Sequence, residues 1–195
     1  MPVVAYNLTE SDTVAIDGLG HNWGTPTWSW TGSDADGYTA ATATFVCTRD
    51  SSHTETVTAT VTSAENNACE MVYTATATFE GNTYTDTKTV AITAYYLIGS
   101  MTNWQVDPAY RLTRNTAATG EEYYLDVNLA IGDTLKVIKA TGNTTTGATW
   151  YPGGNNYTVD YAHSGSVVVY FQPSANSAWY SFHEGAIKII NEKTP

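Results

Sequence analysis

The sequence predicts an all-β protein built as two tandem antiparallel β-sandwiches, over residues 1–93 and 94–195. Three observations lead there. Period-two alternation of hydroxyl and apolar residues recurs along the chain, and helical patterning is nearly absent. About one residue in six is Thr, a strand former, while charged residues make up only 14%. At 93–94 the Thr ladders stop and a more aromatic region opens with Tyr95-Tyr96-Leu97-Ile98.

The first half is read strand by strand. Residues 41–45 are A-T-A-T-F, 56–62 are T-V-T-A-T-V-T, 73–79 are Y-T-A-T-A-T-F and 87–92 are T-K-T-V-A-I. Each places Thr on one face and small or apolar residues on the other, the signature of a strand with one face in a core. Turn clusters separate them at 31–37 and 51–53, and Glu80-Gly81-Asn82 marks a short hairpin. About seven short strands in ninety residues fit an immunoglobulin-like sandwich. With the stretch Gly20-His21-Asn22-Trp23-Gly24-Thr25-Pro26-Thr27-Trp28-Ser29-Trp30 and the T-Y-T-D-T-K of 83–88, this half resembles an Ig-like repeat of large surface proteins from Gram-positive gut bacteria. That resemblance implies a spacer. Trp28 and Trp30 share one side of a strand, as a core edge, a domain contact or a sugar platform.

In the second half, strands are expected at 123–129, 134–139, 166–171 and 186–190, with Gly-rich loops at 140–148 and 152–156. Trp179 and Tyr180 read as core or edge. The linker between the halves is very short, so the two domains should touch.

Composition excludes several functions. A net charge of −11 with only 8 Lys and Arg repels phosphate backbones and anionic membrane surfaces, which argues against nucleic acid and peripheral membrane binding. No apolar run approaches the ~18 residues of a membrane span. The 19 Asp and Glu are scattered, without a recognisable carboxylate pair for glycoside hydrolysis. The four histidines lack metal-ligand spacing, and no nucleophile motif is present. Asp34-Ala35-Asp36-Gly37 starts like a calcium loop but lacks the downstream acidic ligand, so it reads as a turn. The chain is therefore expected to be non-catalytic, with no metal and no cofactor. Cys47 and Cys69 either pair, if their strands are neighbours, or are two small buried residues. Met1-Pro2-Val3-Val4 lacks the features of a signal peptide, which counts against the extracellular location that the composition suggests; if the protein is secreted, the chain reads as a mature fragment.

The functional signal lies in the order of short motifs after residue 95. Strand 95–98 is followed by Gly99-Ser100-Met101-Thr102-Asn103-Trp104 and by Leu112-Thr113. Next come the aromatic strand from Tyr123, Gly132-Asp133-Thr134-Leu135-Lys136-Val137, and Thr149-Trp150-Tyr151-Pro152-Gly153-Gly154-Asn155-Asn156. This order resembles starch- and glycogen-binding β-sandwiches over most of residues 95–190. They include family-48 carbohydrate-binding modules such as the glycogen-binding domain of AMP-activated kinase, and family-26 modules of bacterial amylases. They also include the starch-utilisation lipoprotein modules of Bacteroides and starch-binding domains of gut Firmicutes. The resemblance implies a sugar site framed by Trp104, Lys136 and Trp150, with Asn155 or Asn156 as a fourth member; Tyr151, beside Trp150, is counted with the expected ligand-binding residues without support from the family pattern. The longer Thr/Gly-rich loop at 140–148 and Tyr151 beside Trp150 depart from the family-48 pattern.

Elementary chemistry favours the same residues. An aromatic ring stacks on the C–H face of a pyranose, an ammonium donates to hydroxyls, and an amide both donates and accepts. Lys136 also fits a solvated strand residue, and Trp150 a cap on the sandwich. The expected ligand is α-glucan polysaccharide or maltooligosaccharide, held at a bacterial cell surface. The competing expectations are a structural or adhesive tandem whose aromatics bind protein, and a module for a different polysaccharide.

Overall fold

The computed structural model describes residues 20–174 and 186–191, an all-β chain of antiparallel sheets. Trp179 and Tyr180 lie outside the described residues. The first five strands, β1 (Thr27–Ser33), β2 (Gly37–Val46), β3 (Thr54–Glu65), β4 (Glu70–Phe79) and β5 (Asn82–Ala91), form one sheet in sequential order. The alternation read from the sequence explains it. Ala41, Ala43, Phe45, Ala59, Ala75 and Ala77 are buried on one face. Thr pairs cross the other face at Thr42–Thr58, Thr44–Thr56, Thr60–Thr76 and Thr74–Thr87. Each such pair contributes about 0.2–1 kcal/mol relative to alanines.

Small side chains leave room on the apolar face, and large aromatics fill it. Phe45 stacks on Phe79 with ring centroids 4.2 Å apart, and Trp23, Trp28 and Trp30 pack on the same cluster. Trp30 donates its indole N–H to Asp86. Trp28 and Trp30 thus do share one side of β1, over the alanines of β2. The β4–β5 hairpin turns at Glu80 and Gly81, both at positive φ (48° and 78°), where the short signal in the sequence stood. The Asp34–Asp36 segment is the β1–β2 turn, with Ser33 bonded to Asp36 and Tyr38 donating to Asp34. Where seven short strands were expected, the described residues hold five strands in a single sheet, and β2 to β5 are each 10 to 12 residues long.

β6 (Thr93–Gly99) leaves that sheet and pairs with β9 (Thr134–Thr141). The other edge of β9 carries β10 (Thr149–Tyr151) and then β11 (Tyr157–Thr158), interrupted by residues 152–156. A second sheet orders β13 (Ala186–Ile190), β12 (Gly165–Gln172), β8 (Tyr123–Leu129) and β7 (Thr113–Arg114). The two sheets share one sandwich-like core. Leu97, Leu135 and Val137 of the first pack in one cluster with Leu129, Val169, Phe171 and Ile187 of the second. Strands β8, β9, β12 and β13 fall within two residues of where the sequence placed them.

The halves touch, as the short linker implied. The tip of the β3–β4 hairpin lies on the face of the β6–β9 sheet that points away from the shared core, where Cys69 packs with Tyr96, Ile98, Ile138 and Ala140. The Ile92 N–H donates to the Cys69 carbonyl at 2.8 Å, and Arg111 pairs with Glu65 at 2.8 Å.

Candidate functional site

Counting along the strands gives the layout of that outer face. In β9, Leu135 and Val137 point into the core, so Lys136, Ile138 and Ala140 point outward. Registry places Tyr96 of β6, Ile138 of β9 and Trp150 of β10 in one row across three strands. Trp150 therefore stands on the outer face, half-buried. Tyr151, the next residue, must face the other way.

Trp104 reaches the same face by a different route. After β6 the chain makes a single 3₁₀ turn, Ser100–Thr102, and then places Asn103 and Trp104 at φ 51° and 58°. Two consecutive left-handed non-glycine residues cost roughly 1–2 kcal/mol each. Neighbouring contacts hold them. The Trp104 N–H donates to the Gly99 carbonyl at 2.9 Å, and the buried Thr102 hydroxyl accepts from the Gly99 N–H. Ser100 donates to Asp133 at 2.7 Å and accepts from the Thr134 N–H, tying this turn to the β8–β9 loop. Gly99 admits no substitute, since a Cβ there would collide with the Thr134 carbonyl and the Leu135 backbone. The G-S and G-D motifs are thus two halves of one brace behind Trp104.

The result is a pair of half-buried indoles, ring centroids 6.4 Å apart and planes inclined by 36°. They rest on the floor of Tyr96, Ile98, Ile138 and Ala140, with Val106 and Ala148 alongside. Among the described residues neither indole N–H has a hydrogen-bond partner. Of the expected set, Trp104 and Trp150 are brought together.

Two of the remaining four expectations differ in detail. Tyr151 belongs to the inner core, against Phe171 (5.1 Å between centroids) and Tyr95 (6.1 Å), because it alternates with Trp150 in β10. Its place at the sugar rim is corrected on that ground. Lys136 does lie on the outer face, but buried, and its ammonium donates to the Pro152 carbonyl at 2.8 Å and to the Gly154 carbonyl at 2.5 Å. A buried charge needs such partners, and the sequence carries no sign of the burial. Lys136 therefore anchors the loop. Asn155 and Asn156 are exposed on that loop, directly after the segment that Lys136 holds.

Sequence reasoning missed the contribution of the first half. Cys69 and Glu65 sit at the hairpin tip beside the indole floor, and only the tertiary contact reveals them. The Tyr96 hydroxyl is buried there without a hydrogen-bond partner, and burial next to the Cys69 thiol pushes its ionisation upward. Both cysteines are free. They cannot pair within the chain: Cys47 follows β2 at one end of the sheet, Cys69 precedes β4 at the other, and the 12 residues of β3 separate those ends by about 36 Å. At Cys47, hydrogen bonding from the Asn22 backbone outweighs burial and, helped by His21 and the Arg49 and Asp50 backbone, lowers the thiol to about 6. Among the described residues, no group of three or more His, Cys, Asp or Glu is placed to hold a metal ion, and no helix is long and apolar enough to cross a membrane.

Comparison with protein-family models, curated proteins and solved structures finds no match to this chain.

Proposed function

We propose that the chain is a non-catalytic binder of starch-type α-glucan, with Trp104 and Trp150 as the stacking platform. The observation that carries this reading is the tilted, half-buried indole pair on an outer sheet face, 6.4 Å apart and inclined by 36°. Pyranose rings present C–H faces that stack on indoles. Two inclined planes follow the curvature of an α-1,4-linked chain, whereas a flat β-1,4 chain favours coplanar rings. The strained backbone at Trp104 supports the same reading, since such outliers persist where the surroundings over-determine them and cluster at ligand sites. Asn155 and Asn156 supply donors and acceptors at the rim. Lys136 holds their loop in place.

The wider architecture follows from this proposal. The second half is a carbohydrate-binding sandwich, and the first a spacer whose five-stranded sheet braces the platform with its β3–β4 hairpin tip. Both belong to a larger extracellular, cell-surface protein of a gut bacterium. An open platform immobilises few groups, so a short oligosaccharide should bind with a Kd between about 1 μM and 1 mM. Native affinity electrophoresis tests the ligand class, with gels containing amylopectin, xylan or no polysaccharide. Retardation in amylopectin alone is expected. Equal mobility in all three gels refutes the reading, and retardation in xylan alone replaces the ligand.

A further inference from the structure

The tip of the β3–β4 hairpin is a tight turn in which the Asn66 carboxamide is fully occupied. Its Oδ1 accepts from the Ala68 and Glu70 N–H groups at 2.9 and 3.1 Å, and its Nδ2 donates to the Glu70 carboxylate at 2.9 Å. Cys69 follows at φ 56°, buried in the cluster of Tyr96, Ile98, Ile138 and Ala140 on which Trp104 and Trp150 also pack. Three polar ties fix the tip there. The Ile92 N–H donates to the Cys69 carbonyl at 2.8 Å, the Gly142 N–H donates to the Ile92 carbonyl at 2.9 Å, and Arg111 pairs with Glu65 at 2.8 Å. A Cβ on Gly142 would stand 4.0 Å from the Ala68 carbonyl, so the tip abuts the start of the 142–148 loop.

Registry places the indoles between two flanks. Trp150 lies in the row of Ile138, while the tip lies at the level of Ile92 and Gly142, four residues or about 13 Å along β9. On the other side Lys136, two residues or about 7 Å away, holds the 152–154 segment. Each flank presents exposed amides: Asn155 and Asn156 on one, Asn67 of the tip and Asn143 on the other. Among the described residues the side chains of Asn67 and Asn143 have no hydrogen-bond partner. The backbone that carries Asn67 is fixed by the Asn66 turn, so little freedom is lost when its amide binds. Glu65 beside it is paired with Arg111, so the flank offers donors and acceptors rather than net charge, which suits a neutral hydroxylated chain.

We infer that the glucan site is composite: a chain stacked on Trp104 and Trp150 runs on to the β3–β4 hairpin tip, where Asn67 of the first half and Asn143 of the second bind its hydroxyls. The inference rests on the function proposed above for its choice of ligand. The first half then takes part in binding as well as bracing the platform, and the site distinguishes long chains from short ones. Maltose, with two rings for two indoles, ends before the tip. Maltoheptaose reaches it.

The test is amide NMR of the full chain titrated with maltose and with maltoheptaose. Both sugars should shift amides around 98–104 and 148–150. Maltoheptaose alone should also shift 66–69 and 142–144, with the side-chain amides of Asn67 and Asn143. Trp104→Ala should silence both groups, as a single site requires. Asn67→Ala with Asn143→Ala should weaken maltoheptaose binding about 2- to 10-fold for each hydrogen bond lost, and leave maltose binding and the thermal midpoint unchanged. Should that double variant fail to fold, the wild-type titrations with the two sugars still decide. Silence at the tip with maltoheptaose overturns the inference and leaves the proposed function standing. Tip shifts with maltose as well overturn it too, since the shared floor would then carry the signal. So does a folded double variant that binds maltoheptaose like wild type, or that loses both sugars equally. Tip shifts that survive Trp104→Ala show a separate site and likewise overturn it. No shift with either sugar refutes both the inference and the proposed function.

Discussion

Replacing Lys136 by methionine separates loop support from direct sugar contact. The ammonium makes two hydrogen bonds to the carbonyls of Pro152 and Gly154. Bonds to a charged group contribute roughly 1.5–3 kcal/mol each, a gross loss of about 3–6 kcal/mol. Methionine has a similar length and no charge, so the several kcal/mol that burial of the ammonium costs is recovered. The Gly154 carbonyl borders an exposed loop, where water satisfies it, but the buried Pro152 carbonyl is left unpaired. Global stability should therefore fall by about 1–3 kcal/mol, measured as a lower urea midpoint with an unchanged m-value. The loop should respond far more. Hydrogen exchange at 153–156 should accelerate while exchange in β9 stays slow, and amylopectin affinity should fall about tenfold, equivalent to about 1.4 kcal/mol. If Lys136→Met lowers affinity while exchange at 153–156 is unchanged, the lysine acts on sugar directly and the anchoring role is wrong.

Two further outcomes test the scaffold. Gly99→Ala should destabilise the chain by about 1–3 kcal/mol through the collision with the Thr134 carbonyl, seen as a lower thermal midpoint; an unchanged midpoint would show that the turn before Trp104 yields without cost. Cys47, with its thiol lowered from 9.0 to about 6, should stabilise the fold at pH above 9 and lose that contribution as pH falls through about 6. The urea midpoint of wild type should accordingly rise from pH 6 to pH 9 more than that of Cys47→Ser, and parallel profiles would remove the thiolate from the account.

Much of the fold is visible in the sequence because period two is a strong local signal. The alternations at 41–45, 56–62 and 73–79 fall in strands, that at 87–92 does so as far as Ala91, and small apolar residues such as Ala43 and Ala75 are the buried ones. What escapes is set by distant contacts. Nothing local says that five strands continue in one sheet, or that Cys47 and Cys69 end up at its opposite ends. Lys136 reads as a solvated strand residue or a sugar ligand until the return of residues 152–154 is seen to cover it. Tyr151 is an instructive case. Once Trp150 is assigned to a strand, alternation alone turns Tyr151 inward, but a three-residue strand beside Pro152 carries too little pattern to announce itself. Motif order finds the two tryptophans, whereas their shared face follows from the pairing of β10 with β9 and from the left-handed turn at Asn103 and Trp104.

The most direct measurement is the amylopectin retention of Trp104→Ala and Trp150→Ala, each with a thermal melt. Both indoles are half-buried on the outer face rather than in the shared core, so both variants should remain folded. Each should lose at least about tenfold in affinity, since each removes one of two stacking planes. Wild-type retention by both folded variants would contradict the account, because the paired indoles would then be packing and the sugar, if bound, would lie elsewhere.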